Sequence, residues 1–164
     1  GDGRVDGQTV NFDIDPSKFS RAEELGATHC FDSKNNNMVE EIRDLTNGGV
    51  DYAIDLAGVI QAMDTAYQII RYGGSVVTAG LSPINTQFSF NHSDLVAQEK
   101  SILGSYMGSC VPVRDVPRFL NLYKQGRLPV DKLIDGKITF DNLNEGFDKL
   151  SKGEVVRQIL VPNA

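Results

Sequence analysis

The stretch Asn11–Asp32, NFDIDPSKFSRAEELGATHCFD, decides the fold. Thr9 to Ile14 reads as a short strand. Pro16 suits the first turn of a helix, because its missing N–H would be unpaired there anyway. Asp15, just before it, is placed to cap that helix. Phe19, Ala22 and Leu25 give an apolar stripe, and Gly26 is a natural stop. THCFD, Thr28 to Asp32, is then a second strand. Strand, helix and strand in such short order make the unit of a parallel sheet. A carboxylate at the end of the first strand stands where nucleotide folds hold a ribose. Asp13 is therefore the first candidate site residue, and its competing role is that of a helix-initiating carboxylate.

Downstream the rhythm repeats. Met38, Ile42 and Leu45 recur at helical spacing, and TNGG ends that helix. VDYAIDLAG is a strand closing in small residues. Ile60, Met63, Tyr67 and Ile70 mark another helix, closed by Gly73-Gly74, and SVVTAGL is a buried type of strand. Strand and helix alternate three times between Thr9 and Leu81, which means parallel strands with helical crossovers. The pattern then changes. TQFSF alternates as an edge strand would, SDLVAQEK is a short helix opened by Ser93, and SILGSYMG is a strand. Val116, Leu120 and Tyr123 form a helix stripe closed by Gly126. GKITF is a strand, Asp141 caps a helix bearing Leu143, Phe147 and Leu150, and RQILVP is the last strand.

In a doubly wound sheet, ligands bind beyond the carboxyl ends of the strands. Those ends are the loops at Asp13, at Asp55-Leu56-Ala57-Gly58, at Ala79-Gly80-Leu81 and at Ser105-Tyr106-Met107. Small residues there let backbone approach a flat ligand closely. A carboxylate at Asp13 accepts hydrogen bonds from both ribose hydroxyls and repels a 2′-phosphate, so NAD is favoured over NADP. Upstream, GDGRVDG resembles a broken G-x-G-x-x-G, with Asp6 at the third glycine position. The fingerprint sets its acid about 20 residues beyond the glycines, with a helix between. There is no room for that helix before Asp13, and a generic N-terminus is the simpler reading.

Composition narrows the partners. The chain has 164 residues, 40% apolar and 23% charged, with net charge −6, enough for one domain with a real core. No Lys or Arg stripe is present, which argues against nucleic acid and against an anionic membrane surface. No apolar run reaches the roughly 20 residues of a spanning helix, and no secretory signal is visible. Cys30 and Cys110 read as reduced thiols, giving a cytoplasmic expectation. With His29 and His92 they have no metal-ligand spacing, so a structural zinc site is not expected.

Six stretches carry a family likeness: DIDPSKFSRAEELGATHCFD, NGGVDYAIDLAG, RYGGSVVTAGLSP, SILGSYMGS, VPRFLNLYKQGRLPVDKLI and NEGFDKLSKGEVVRQILVP. In order and spacing, Phe12 to Pro162 resembles the C-terminal part of the zinc-dependent medium-chain alcohol dehydrogenases. The resemblance implies an α/β fold: an incomplete Rossmann-like, doubly wound parallel sheet over residues 1–107, and a C-terminal α+β segment over 108–164. It implies that Asp13 binds the adenosine ribose of NAD with Lys18 helping, and that Ile14 lies against the adenine. Leu56, Ala57 and Gly58 would sit beside the adenosine half. Ala79, Gly80 and Leu81 would touch the nicotinamide half, Ser105 and Met107 would contact the carboxamide, and Arg157 would pair with the pyrophosphate, a task a guanidinium fork suits.

The departures are as informative. The family's zinc-binding half is absent, as are the intact glycine loop and first strand, so no residue here is assigned to zinc or to catalysis. The expectation is a truncated or internally deleted homologue, inactive alone. Its full-length relatives would use zinc and NAD to oxidise an alcohol to an aldehyde or ketone. The rival classes are a non-catalytic NAD-binding module and an interaction protein that self-associates through the TQFSF to SYMGS region. A methyltransferase also places an acid at a strand end, but the stretches from Val50 onward fit it poorly.

Overall fold

The computed structural model describes residues 7–162; the Gly1–Asp6 part of the glycine-rich start lies outside them. The chain divides into two compact units, Gly1–Cys110 and Val111–Ala164.

In the first unit, β1 (Val10–Asp13) and β2 (His29–Asp32) pair in parallel, from Val10 opposite His29 to Asp13 opposite Asp32. Their crossover is a short 3-10 turn, Pro16–Lys18, running into α1 (Phe19–Glu24). Asp15 starts the turn: its Oδ1 accepts the Ser17 N–H at 3.1 Å and the Ser17 hydroxyl at 2.7 Å. This satisfies donors that a helix start leaves unpaired.

After α2 (Met38–Leu45) come β3 (Val50–Asp55), α3 (Ile60–Ile69) and β4 (Ile70–Thr78), then α4 (His92–Ala97) and β5 (Ser101–Gly104). The strands β3, β4 and β5 form a parallel three-stranded sheet in that order. Set against the doubly wound order 3-2-1-4-5-6, β2–β1 and β3–β4–β5 supply positions 3-2 and 4-5-6. The first position has no strand among the described residues.

The core lies between sheet and helices. Met38 and Ile42 of α2, Met63, Ala66, Tyr67 and Ile69 of α3, Ala53 of β3, and Ile70 and Val76 of β4 are all buried. Val10, Phe12 and Phe31 pack against this cluster from β1 and β2. The period of two is plain on β3: Ala53 and Asp55 are buried while Tyr52 and Ile54 are exposed.

Local readings are corrected in this unit. TQFSF is not a strand; Phe88 and Phe90 instead pack their rings on Tyr67, with centroids 6.4 and 6.1 Å away. Gly73-Gly74 does not close α3, which ends at Ile69 and passes straight into β4. The glycines lie within that strand, where the register with β3 shifts. Asn91, not Ser93, caps α4: its side chain accepts the Ser93 N–H at 2.9 Å.

The second unit holds α5 (Pro112–Lys124), β6 (Ile134–Ile138), α6 (Leu143–Ser151) and β7 (Arg157–Leu160), with β6 and β7 parallel. The turn before α6 starts at Thr139 rather than Asp141, because Asn142 Oδ1 accepts both the N–H and the hydroxyl of Thr139. Gly146 lets α6 lie close on its sheet; a Cβ there would stand 2.8 Å from Ile138 Cδ1. No helix among the described residues is long and apolar enough to cross a membrane.

Candidate functional site

Asp13, Asp55, Thr78 and Gly104 each end a parallel strand, and the candidate residues of the first unit follow from those ends. At the end of β1 the Asp13 side chain is one-third exposed. Its Oδ1 accepts the Asp15 N–H at 3.0 Å and lies 3.8 Å from Lys18 Nζ. The carboxylate is thus oriented by the turn that Asp15 opens. The hydrogen bonds from the Ser17 hydroxyl and N–H, in that order, hold the Asp15 carboxyl below its ordinary range. Ile14 beside it is exposed, an apolar surface available to a flat ring.

The ends of β3 and β4 are tied together. Gly58 has φ +67°, and a Cβ there would meet Leu81 O at 2.8 Å. A Cβ on Gly80 would come within 2.2 Å of Gly58 N and 2.6 Å of its Cα. Only glycine at both positions permits this approach. The Ser82 hydroxyl donates to Gly58 O at 2.7 Å. Beneath sits Asp55, 4% exposed. Its Oδ1 accepts the N–H groups of Ala57 at 3.0 Å and Gly58 at 3.4 Å, and its Oδ2 accepts the Thr78 hydroxyl at 2.9 Å. Its carbonyl accepts from Ala79 N at 2.9 Å and Gly80 N at 3.2 Å. Leu56 and Leu81 stand exposed above these loops.

At the end of β5, Ser105 N donates to Thr78 O at 2.9 Å, continuing the ladder. The chain then turns through three successive left-handed residues, Met107 at φ 49°, Gly108 at φ 69° and Ser109 at φ 53°. Two of them carry side chains, and non-glycine residues hold that conformation at a cost. Hydroxyls of Ser105 and Ser109 lie 3.2 Å apart, and Met107 is exposed.

Arg157 belongs to the second unit, on β7, where its guanidinium donates to Val156 O at 2.7 Å and its N–H to Asp135 Oδ2 at 3.3 Å. So the structure joins residues 56–58 directly to 79–81 and links β4 to Ser105. Asp13 and Lys18 form a pair of their own, and Arg157 stands in another unit. Sequence reasoning missed Asp55, Thr78 and Ser82 as parts of this arrangement. The available signal was an acid directly before Leu56-Ala57-Gly58 at a buried strand's end. Among the described residues no three His, Cys, Asp or Glu side chains form a group able to hold a metal ion, so the residues present do not fit a zinc site.

Residues 5–125 match the family model described as zinc-binding dehydrogenase. The alcohol dehydrogenase 1 of Cenchrus americanus is 32% identical over 154 residues, which cover 92% of this chain and 40% of that protein. The crystal structure of benzyl alcohol dehydrogenase from Acinetobacter calcoaceticus superposes with a TM-score of 0.91 at 29% identity, over 95% of this chain and 43% of that one. A protein described as a zinc-binding dehydrogenase from Sinorhizobium meliloti, solved bound to NADP, gives a TM-score of 0.82 at 27% identity, over 94% and 45% of the two chains. The chain thus spans about 40% of the length of the curated relatives it matches.

Proposed function

The chain belongs to the zinc-binding dehydrogenase family, and on that premise we propose that it is the NAD-holding portion of an alcohol dehydrogenase. The observation that carries this is Asp13: a one-third exposed carboxylate ending a parallel strand, pre-oriented through one oxygen by Asp15 N. A carboxylate so placed takes up ribose hydroxyls. It also disfavours a 2′-phosphate by like-charge repulsion, which selects NAD although one relative was solved with NADP. Lys18 Nζ stands 3.8 Å from the same oxygen. Leu56, Ala57 and Gly58 then lie beside the adenosine half, Ala79, Gly80 and Leu81 against the nicotinamide half, and Ser105 and Met107 at the carboxamide.

Oxidation of an alcohol to an aldehyde or ketone is proposed for the longer proteins of which this chain matches about 40%. Hydride transfer in them draws on the bound nicotinamide. The share of this chain is to bind and orient that ring; no step runs through a metal, since the described residues do not fit one. A second reading is a nucleotide-binding module without chemistry. A cytoplasmic setting agrees with two unbridged cysteines, Cys30 and Cys110. Self-association through the TQFSF to SYMGS region, which includes β5 at the end of its sheet among the described residues, is part of the proposal.

Calorimetric titration with NAD and NADP tests it. The expected result is saturable NAD binding, weaker NADP binding, and a loss of about tenfold or more in NAD affinity in Asp13→Ala, the usual weight of a hydrogen-bonded carboxylate. No binding up to millimolar NAD would reject the reading. Turnover of an alcohol by this chain would reject the second one.

A further inference from the structure

We infer that Asp55 is a positioning residue for the dinucleotide, locking the two cradle loops into one ligand-ready shape; this rests on the NAD reading above. Asp55 touches no proposed ligand group directly. Its carboxylate reaches the N–H groups of Ala57 and Gly58 on one loop and the Thr78 hydroxyl at the root of the other. Its carbonyl receives Ala79 N and Gly80 N. One residue therefore fixes the backbone of both loops.

The cost of that arrangement argues for a role. A carboxylate at 4% exposure has lost nearly all its water, and its three carboxylate donors are neutral. Burying a charge without a cation is expensive. An apolar residue would fill a strand end at less cost, but it would not hold Gly58 at φ +67° with its N–H aimed inward. The glycine contact between Gly58 and Gly80 has no side chains to interlock. Its geometry depends on hydrogen bonds: the Ser82 hydroxyl donates to Gly58 O, and the others named here meet at Asp55. The adenosine ribose itself is held by Asp13 on β1, so of the two loops only 56–58 borders the adenosine half and 79–81 serves the nicotinamide half alone.

The experiment compares NAD with adenosine monophosphate on the full chain, using Asp55→Ala and Asp55→Asn. Asparagine keeps an oxygen for Ala57 and Gly58 and offers an amide to Thr78 Oγ1, so it preserves the clamp without the charge. The expected result is that Asp55→Ala weakens NAD by about tenfold or more and the monophosphate by a clearly smaller factor, because the monophosphate meets only loop 56–58. Asp55→Asn should restore NAD affinity to within about threefold of the parent. Should Asp55→Ala fail to fold, Thr78→Val carries the test, with an expected loss of about threefold for NAD alone. Unchanged NAD affinity in the folded variant, or equal losses for both ligands, would overturn the proposal while leaving the NAD reading intact. If the parent chain binds neither ligand, the NAD reading fails and the proposal falls with it.

Discussion

Asp55 and Asp115 are the two buried charged residues among those described, at 4% and 5% exposure, yet they are solved in opposite ways. Asp115, in the first turn of α5, sits among cations. Its oxygens accept from Arg114 Nε at 2.7 Å and Nη2 at 2.8 Å, and from Arg118 Nη1 at 3.4 Å, while Val111 N donates at 2.8 Å. The Arg114 hydrogen bonds foremost, then that of the Val111 N–H, hold its carboxyl at about 2, against an ordinary 3.8. That is a helix start tied down by charge. Asp55 has only neutral donors and lies where two backbone loops touch through glycine. The difference teaches that burial alone does not say what a carboxylate does. Cationic partners mark a local cap, and neutral backbone partners at strand ends mark a shaped surface.

The largest expected effect falls on that surface. Gly80→Ala would drive a methyl into the Gly58 backbone, 2.2 Å from its N. Neither atom belongs to a flexible side chain, so the loops must part. The expected result is a destabilisation on the order of 3 kcal/mol and NAD binding below detection, read by chemical unfolding and calorimetry. A variant as stable as the parent would show that the cradle is soft and that Asp55 has nothing rigid to hold.

A smaller effect sharpens the other side. The folded carboxyl of Asp115 titrates near 2 and the unfolded one near 3.8. Its contribution is therefore present in full above the unfolded value and disappears as pH falls through the folded one. The stability advantage of the parent over Asp115→Asn should be constant at neutral pH and shrink to nothing between about pH 4 and pH 2. Urea unfolding at several pH values measures it. A constant advantage down to the lowest pH would mean that shape, not charge, ties α5.

The alternation of the chain made the parallel sheet legible, because parallel strands need helical crossovers, and the small residues after Asp55 and Thr78 marked the strand ends. Asp15 was legible as a cap because its geometry is local. What failed was non-local. TQFSF has a strand's period, but Phe88 and Phe90 alternate toward Tyr67 rather than along a ladder. Gly73-Gly74 looked like a stop, but the chain turns extended at Ile70, φ −72° and ψ 142°, before the glycines arrive. The sequence shows Asp55 at a strand's end but not its task. Its partners Thr78, Ala79 and Gly80 lie more than twenty residues away, and no pattern in one strand shows which way the next strand's hydroxyl faces.

The smallest expected effect comes from an ion pair whose geometry rivals that of Asp115. Glu145 Oε1 and Lys149 Nζ stand 2.7 Å apart on α6, four residues apart in sequence, with side chains 62% and 44% exposed. The hydrogen bond from Lys149 lowers the Glu145 carboxyl and raises the Lys149 ammonium in return. Distance alone would rank this pair beside Arg114–Asp115, also at 2.7 Å. Exposure reverses the ranking: water screens the attraction, salt screens it further, and two long side chains lose rotamer freedom to keep it. Glu145→Gln is therefore expected to shift the melting temperature by less than about 1 °C, with or without molar salt. Arg114→Ala should shift it by more, because it strips a buried carboxylate of its main partner. If both substitutions shift it equally, the arginines around Asp115 are ornament on an exposed surface, and the contrast with Asp55 loses its second term.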